Sequence, residues 1–148
     1  MLQELSSRIA STSTPRQLAC LLEERTDAEV TAAVATAGVD RTIDQVFTGM
    51  VSHYRPLAGP RRRVVVEFVI LTDEGARVRQ FVANREHPRW HLGAMEAPHV
   101  KVELRLVDFL RLVSGSLDAF VAVAQRKLKV KGNWLTASGI QRWFDLSA

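Results

Sequence analysis

The sequence predicts an α+β domain in which amphipathic helices cover one face of a β-sheet. Three observations carry this. Apolar residues recur at helical spacing in the first and last thirds of the chain. The middle third alternates, most cleanly from Val100 to Leu106, where Val100, Val102, Leu104 and Leu106 fall on one side and Lys101, Glu103 and Arg105 on the other. The strand positions read as outward collect charge (Glu67, Arg77, Arg79, Lys101, Arg105, Lys127, Lys129, Lys131), whereas the inward ones are apolar. One wet face and one covered face is the signature of helices layered on one side of a sheet.

Met1 to Ala10 is mixed in character. Thr14-Pro15 opens a helix, since Thr caps and Pro fits a first-turn position whose N–H has no partner anyway; Leu18, Leu21 and Leu22 share its face. Thr26-Asp27 caps a second helix that Gly38 ends. Asp40 is expected to cap a third, with Ile43, Val46, Phe47 and Met50 as its stripe and Val51 and Tyr54 continuing it. After the loop from Arg55 to Pro60, Arg63 to Leu71 predicts a strand. Thr72-Asp73-Glu74-Gly75 predicts a hairpin turn into a return strand, Ala76 to Ala83, and Arg89 to Leu92 a short third strand. Asp108 to Val113 predicts a short helix, Ser116 the cap of another running to Gln125, and Lys127 to Lys131 a fifth strand. That strand, with Leu128 and Val130 inward and three lysines outward, reads as a protected sheet edge. Gly132-Asn133 turns the chain into a final helix, Trp134 to Leu146.

Composition bounds the function. A chain of 148 residues, 47% hydrophobic and 24% charged, predicts a single ordered domain over 1–148. Its folded surface should be about 7,500 Å², enough to enclose a core and a modest ligand cavity. The single cysteine, Cys20, excludes an internal disulfide and a cysteine-rich zinc site, so a reducing cytoplasm is the expected setting. The longest apolar run, Val64 to Leu71, is interrupted by Glu67 and far short of the ~20 residues a membrane helix needs, so no stable membrane insertion is expected. Neither a secretory leader in Met1–Ala10 nor a peroxisomal address at Leu146-Ser147-Ala148 is expected. The net charge of +4 is mildly basic. Arg61-Arg62-Arg63 reads as a solvated loop or a phosphate or lipid-headgroup contact. The lysines of 127–131 lack interleaved aromatics for base stacking, so no nucleic-acid partner is expected.

Catalytic patterns are sparse. His87 and His91 are four apart, but Pro88 breaks the helix that would aim both at one metal, so no metal site is expected. There is no Gly-x-Ser-x-Gly elbow, no dinucleotide fingerprint and no phosphate loop, so no cofactor is expected. Asp73 and Glu74 read as turn chemistry. What remains is a set of large apolar side chains on helices over a small sheet, packed as a core or parted around an apolar ligand.

The segment Val107-Asp108-Phe109-Leu110-Arg111-Leu112-Val113-Ser114-Gly115, followed by Arg126-Lys127-Leu128-Lys129-Val130-Lys131-Gly132-Asn133, resembles the sterol carrier protein type 2 family. Ala97-Pro98-His99-Val100 and Asp44-Gln45-Val46-Phe47-Thr48-Gly49-Met50 fit the same pattern, so the resemblance covers roughly residues 40 to 146. It implies a five-stranded mixed sheet with a crossover, helices on one face and a hydrophobic tunnel between them. Family members bind sterols, fatty acids, acyl-CoA thioesters or other apolar ligands and most are not enzymes, so the resemblance implies binding or transfer of a hydrophobic small molecule (lipid, fatty acyl, terpenoid or polyketide). Asn133 stands where the family has Asp, and either residue can cap the last helix. Residues 1–39 resemble extra N-terminal helices of bacterial stand-alone members, able to lid the tunnel or to form dimer contacts.

On this reading Phe47, Met50, Phe68, Phe109, Phe120, Leu128, Val130, Leu135, Ile140, Trp143 and Phe144 are the candidate tunnel lining. The alternative is an enzyme of secondary metabolism, a cyclase or isomerase, using the same tunnel, with His53, Tyr54, Gln125, Asn133 and His91 as polar candidates. A third reading is a dimerisation or scaffold domain, in which Val65, Val69 and Leu71 on the half-polar sheet face pair with another chain to give a homodimer.

Overall fold

In the computed structural model residues 2–12 and 14–147 are described; Met1 and Ala148, the outer bounds of the expected domain, lie outside them, as does Ser13. Four helices come first: α1 (Leu2–Ser11), α2 (Pro15–Leu22), α3 (Asp27–Ala37) and α4 (Val39–Ser52). The strands β1 (Val64–Thr72), β2 (Gly75–Ala83), β3 (Arg89–Leu92) and β4 (Val100–Arg105) follow, then α5 (Leu106–Val113), α6 (Ala119–Ala124), β5 (Leu128–Gly132), α7 (Trp134–Gly139) and a 3₁₀ turn, Ile140–Trp143. The strands form one mixed sheet in the order β3-β2-β1-β4-β5. β1 runs parallel to β4, and the other neighbours are antiparallel. This is the α+β fold with a crossover that the sequence predicts.

Local chemistry explains most boundaries. The Thr14 side chain accepts from Gln17 N at 3.1 Å with Pro15 at the first helical position. Thr26 and Glu29 form a reciprocal capping box at α3. In the β1–β2 hairpin the Thr72 hydroxyl donates to Gly75 O at 2.6 Å and accepts from Glu74 N at 3.1 Å. Asn133 caps α7 by accepting from Thr136 N at 3.2 Å.

Leu2–Ser11 is a helix, buried through Leu5 and Ile9 and packed on α3 and α2. Several expectations need correction. Asp40 does not cap α4: the helix starts from Gly38 with no side-chain cap, and the Asp40 carboxylate is taken by arginines. Asp118 rather than Ser116 caps α6, accepting from Val121 N at 3.2 Å. β4 stops at Arg105, so Leu106 begins α5 instead of ending the strand. The final helix breaks at Gly139 into the 3₁₀ turn.

A further correction concerns the faces of the sheet. Arg77 and Arg79 pair directly with Ile70 and Phe68, and paired residues share a face, so both arginines lie under the helices and not in solvent. Arg79, with a side chain 7% exposed, donates from Nε to Asp44 Oδ1 at 2.9 Å and from Nη2 to Asp40 Oδ1 at 3.0 Å. Arg77 Nε reaches the same Asp40 oxygen at 2.9 Å. The first turns of α4 are therefore pinned to β2 by charge, and its later turns by apolar contact. The outer face is not uniformly wet either. The segment before β4 crosses its end: Gln80 Nε2 donates to Glu67 Oε1 at 2.9 Å and to Glu96 O at 2.8 Å, and Glu96 N donates to Gln80 Oε1 at 3.1 Å. Val65, Val82 and Gln80 are fully buried beneath it, so Val65 is not available to pair with another chain. Arg63 closes this strap on the Glu96 carboxylate and holds its pKa below the ordinary carboxylate value.

On the covered face Phe47 of α4 is the hub. Its ring lies 5.2 Å from Phe68 of β1 edge-on, 5.4 Å from Phe109 of α5 in a stack and 5.7 Å from Trp90 of β3. A second cluster joins Tyr54, Phe81 and Phe144 at 5.4–6.0 Å. Burial raises the Tyr54 pKa, and its hydroxyl donates to Asn84 O at 2.8 Å. The helices α1 to α3 form a further layer, α1 on α3, α3 on α4 and α5, and α2 on α5.

Two substitutions test these contacts. Gly132 holds φ +102° beside the β4 entry, and a Cβ there would collide with His99 O, so Gly132→Ala should lower the unfolding free energy by more than about 2 kcal/mol in urea titration. Arg79→Ala should cost about 2 kcal/mol, because it removes two charge-assisted bonds from a buried guanidinium. The more exposed Arg77→Ala should cost less than about 1 kcal/mol in the same measurement.

Candidate functional site

The helices and sheet do not close completely. A cleft of about 830 Å³, its open mouth included, lies between the outer helices and the core. Its walls are Ile9, Thr12, Thr14, Pro15 and Leu18 from the N-terminal layer, Thr42, Gln45, Val46, Gly49, Met50 and His53 from α4 and its end, Phe68 from β1, Leu110, Leu112 and Val113 from α5, and Ile140, Gln141, Phe144 and Leu146. A second cleft, about 440 Å³ with its open mouth included, lies under α6 and α7, walled by Val102, Ala119, Phe120, Val123, Leu128, Val130, Trp134, Ala137 and Ser138. Phe68, Leu112, Ile140 and Gln141 line both, so these four form the partition between the two spaces.

The first cleft is apolar for a reason that goes beyond residue type. No Asp, Glu, Lys or Arg appears among its described lining residues, and its polar side chains are already engaged. Thr12 donates to Arg8 O at 2.7 Å, Thr42 to Gly38 O at 2.7 Å, and Thr14 accepts from Gln17 N. Gln45 Nε2 donates to Thr12 O at 2.7 Å and ties α4 to the end of α1. Gln141 donates to Leu112 O and Leu117 O at 3.0 Å each and accepts from Ala119 N at 2.8 Å. These groups satisfy the backbone of the walls and leave the interior to carbon. A charged group held there would lose its hydration without a counter-ion, which is strongly unfavourable.

Gly49 is the informative position. It sits inside α4 with nothing within 4 Å of the place a Cβ would take. Mid-helix glycine costs roughly 1 kcal/mol against alanine. Its neighbours in space do not require it; the room it leaves belongs to the cleft.

The sequence-derived lining divides into groups. Met50, Phe68, Ile140 and Phe144 face the first cleft, and Phe68, Phe120, Leu128, Val130 and Ile140 the second. Phe47 and Phe109 are fully buried in the aromatic hub, Trp143 is 5% exposed, and none of these three reaches either space. Leu135 points into solvent, 83% exposed. The candidate lining names no single residue of the N-terminal wall, because those residues share no motif with the core, and it omits Gly49, whose position inside a helical stripe was the available signal. Of the polar candidates only His53 reaches a cleft. Tyr54 is engaged with Asn84, Asn133 caps α7, Gln125 is exposed, and His91 Nε2 lies 3.3 Å from Glu96 on the outer face. Among the described residues no three His, Cys, Asp or Glu side chains gather as a metal would need, and no helix is long and apolar enough to cross a membrane.

Comparison with known proteins supports the fold. The sequence pattern of the SCP-2 sterol transfer family matches residues 65–145. Among solved structures, sterol carrier protein 2 like 2 from Aedes aegypti is similar at a TM-score of 0.55 and 19% identity, over 70% of this chain and 97% of that one. A palmitated form of that protein gives 0.52 and 21%, over 67% of this chain and 86% of that one. The sec-alkylsulfatase Pisa1 from Pseudomonas sp. gives 0.62 at 10% identity, over 97% of this chain but 29% of the sulfatase. That last likeness extends over the N-terminal helices as well as the core. No curated protein matches the chain by sequence.

Gly49→Ala should raise the unfolding free energy by about 0.5–1 kcal/mol, since it restores helix propensity into empty space. A midpoint shift to higher urea at unchanged slope is the expected reading.

Proposed function

The chain belongs to the SCP-2 sterol transfer family, and on that premise we propose that it binds a hydrophobic small molecule in the first cleft and carries it without chemical change. The observation that carries this reading is the cleft with no charged side chain among its described lining residues and its polar groups turned to the walls. Such a space gains free energy by taking apolar area from water, about 25 cal/mol per Å² before the costs of association. A linear acyl chain or an isoprenoid suits it, with any charged head at the mouth. The palmitated insect protein, of the same fold, supports an acyl ligand. Movement of the Ile140–Gln141 partition would join the two clefts into the through-going tunnel that the family resemblance implies. The N-terminal layer, which supplies one wall, acts as the lid of that space.

Carriage is favoured over catalysis because His53 is the sole titratable side chain among the described lining residues of the first cleft, and the other polar candidates are dispersed over the surface and the walls. The single exposed Cys20 fits a reducing compartment, and the cytoplasm is part of this proposal.

The test is native mass spectrometry of the purified protein loaded with hexadecanoate, hexadecanol or hexadecanedioate. The mono-functional chains are expected to bind and to leave on unfolding. The diacid is expected to bind at least tenfold more weakly, because one of its carboxylates would have to enter the cleft. Gly49→Leu, which fills the space and keeps the helix, should abolish loading at unchanged or higher stability. Normal loading of a folded Gly49→Leu protein would place the ligand elsewhere.

A further inference from the structure

We propose that the corner built by α6, β5 and α7 docks on an anionic lipid bilayer and sets the mouth of the second cleft against the membrane surface. This goes beyond ligand binding and rests on charge distribution and exposure. The chain's formal charge is +4. Residues 118–142 hold five cations, Arg126, Lys127, Lys129, Lys131 and Arg142, against the single carboxylate of Asp118. This one segment therefore accounts for the whole net charge, and acids and bases balance over the remainder. Lys129 is 3.7 Å from Glu103; among the described residues the other four cations have no ion-pair partner.

The same corner exposes large apolar side chains. Phe120 is 54% exposed, Val121 44%, Trp134 42% and Leu135 83%. Phe120 and Trp134 meet edge-to-face at 5.8 Å and form a lip, and both line the second cleft. Register explains how the two kinds of surface come together. β5 is an edge strand. Val130 and Leu128 pair with Val102 and Leu104 on the helix side, whereas Lys129 and Lys131 pair with Glu103 and Lys101 on the other. The edge thus carries apolar groups on its helix side, beneath the exposed lip, and lysines on the other.

That combination fits a bilayer. Cations draw the corner to anionic headgroups, each strengthening binding about fivefold near the surface. The apolar lip enters the headgroup–acyl boundary, where tryptophan is favoured. A nucleic acid would engage the cations and leave Leu135 and Val121 in water. A protein strand added at β5 would have to pair beside Lys129 and Lys131, which disfavour it. A hydrophobic cargo is itself held in membranes, so a cleft opening at the docked corner shortens its path.

The test is co-sedimentation of the full chain with vesicles of phosphatidylcholine alone and of phosphatidylcholine mixed with phosphatidylglycerol. The chain should sediment with the mixed vesicles, release as salt rises, and show a blue-shifted tryptophan emission that Trp134→Phe removes. One lost cation is expected to weaken binding about fivefold, so the charge reversals Lys127→Glu and Lys131→Glu together should weaken it more than tenfold. Leu135→Ser, at a position already in solvent, should weaken binding with the urea midpoint unchanged. No sedimentation with the mixed vesicles, equal binding to both compositions, unchanged binding by the reversed-charge variant, or retention by single-stranded DNA in preference to vesicles would each overturn the proposal.

Discussion

Phe47 sets where everything else can sit. It is wholly buried, and its ring touches Phe68, Phe109 and Trp90, which come from two strands and a helix remote in sequence. Each aromatic contact adds about 0.5–1.5 kcal/mol beyond area burial. Together they fix the rotation of α4 about its own axis. With that rotation fixed, Asp40 and Asp44 face the arginines of β2, and Val46, Gly49, Met50 and His53 face away from the hub into the cleft. The same helix is therefore core on one side and ligand wall on the other.

The cleft survives because its walls are braced by polar groups that the interior does not use. Gln141 binds three backbone groups of the α5–α6 connection, and Gln45 binds the end of α1. An all-apolar wall at these places would be free to collapse and fill the space, as poorly braced cores do. The bracing is directional and holds the layers at fixed separation. It also removes hydrogen-bonding capacity from the interior, so apolarity and openness share one physical cause.

Charge is divided between two tasks. Arg79 is held under α4 by two carboxylates, where it ties helix to sheet. Further links of the same kind come from Arg105 and Arg111, both bonded to Asp27 at the start of α3, and from Arg105 to Asp108; the bonds to Asp108 and Asp27 raise the Arg105 pKa, and the set joins the N-terminal layer to α5. These cations are matched by acids. The cations of the α6–β5–α7 corner are mostly unmatched, which is why that corner has the charge to attract a surface.

The strands, their hairpin, the caps at Thr14, Thr26 and Asn133 and the covered apolar face were legible in the sequence, because spacing and local hydrogen bonds act over a few residues. The family was legible too, through the order of the Asp108 helix and the Lys127–Asn133 strand and turn. Which face Arg77 and Arg79 occupy was not, since charge suggests solvent and only the pairing register, with two aspartates above it, makes a buried arginine stable. Nor was the division of the large apolar residues between hub and cleft wall. Phe47 and Met50 belong to the same helical stripe, three residues apart; the first meets three rings and the second meets space. That difference depends on the packing of layers that are distant in the chain, and it was decided by tertiary structure alone.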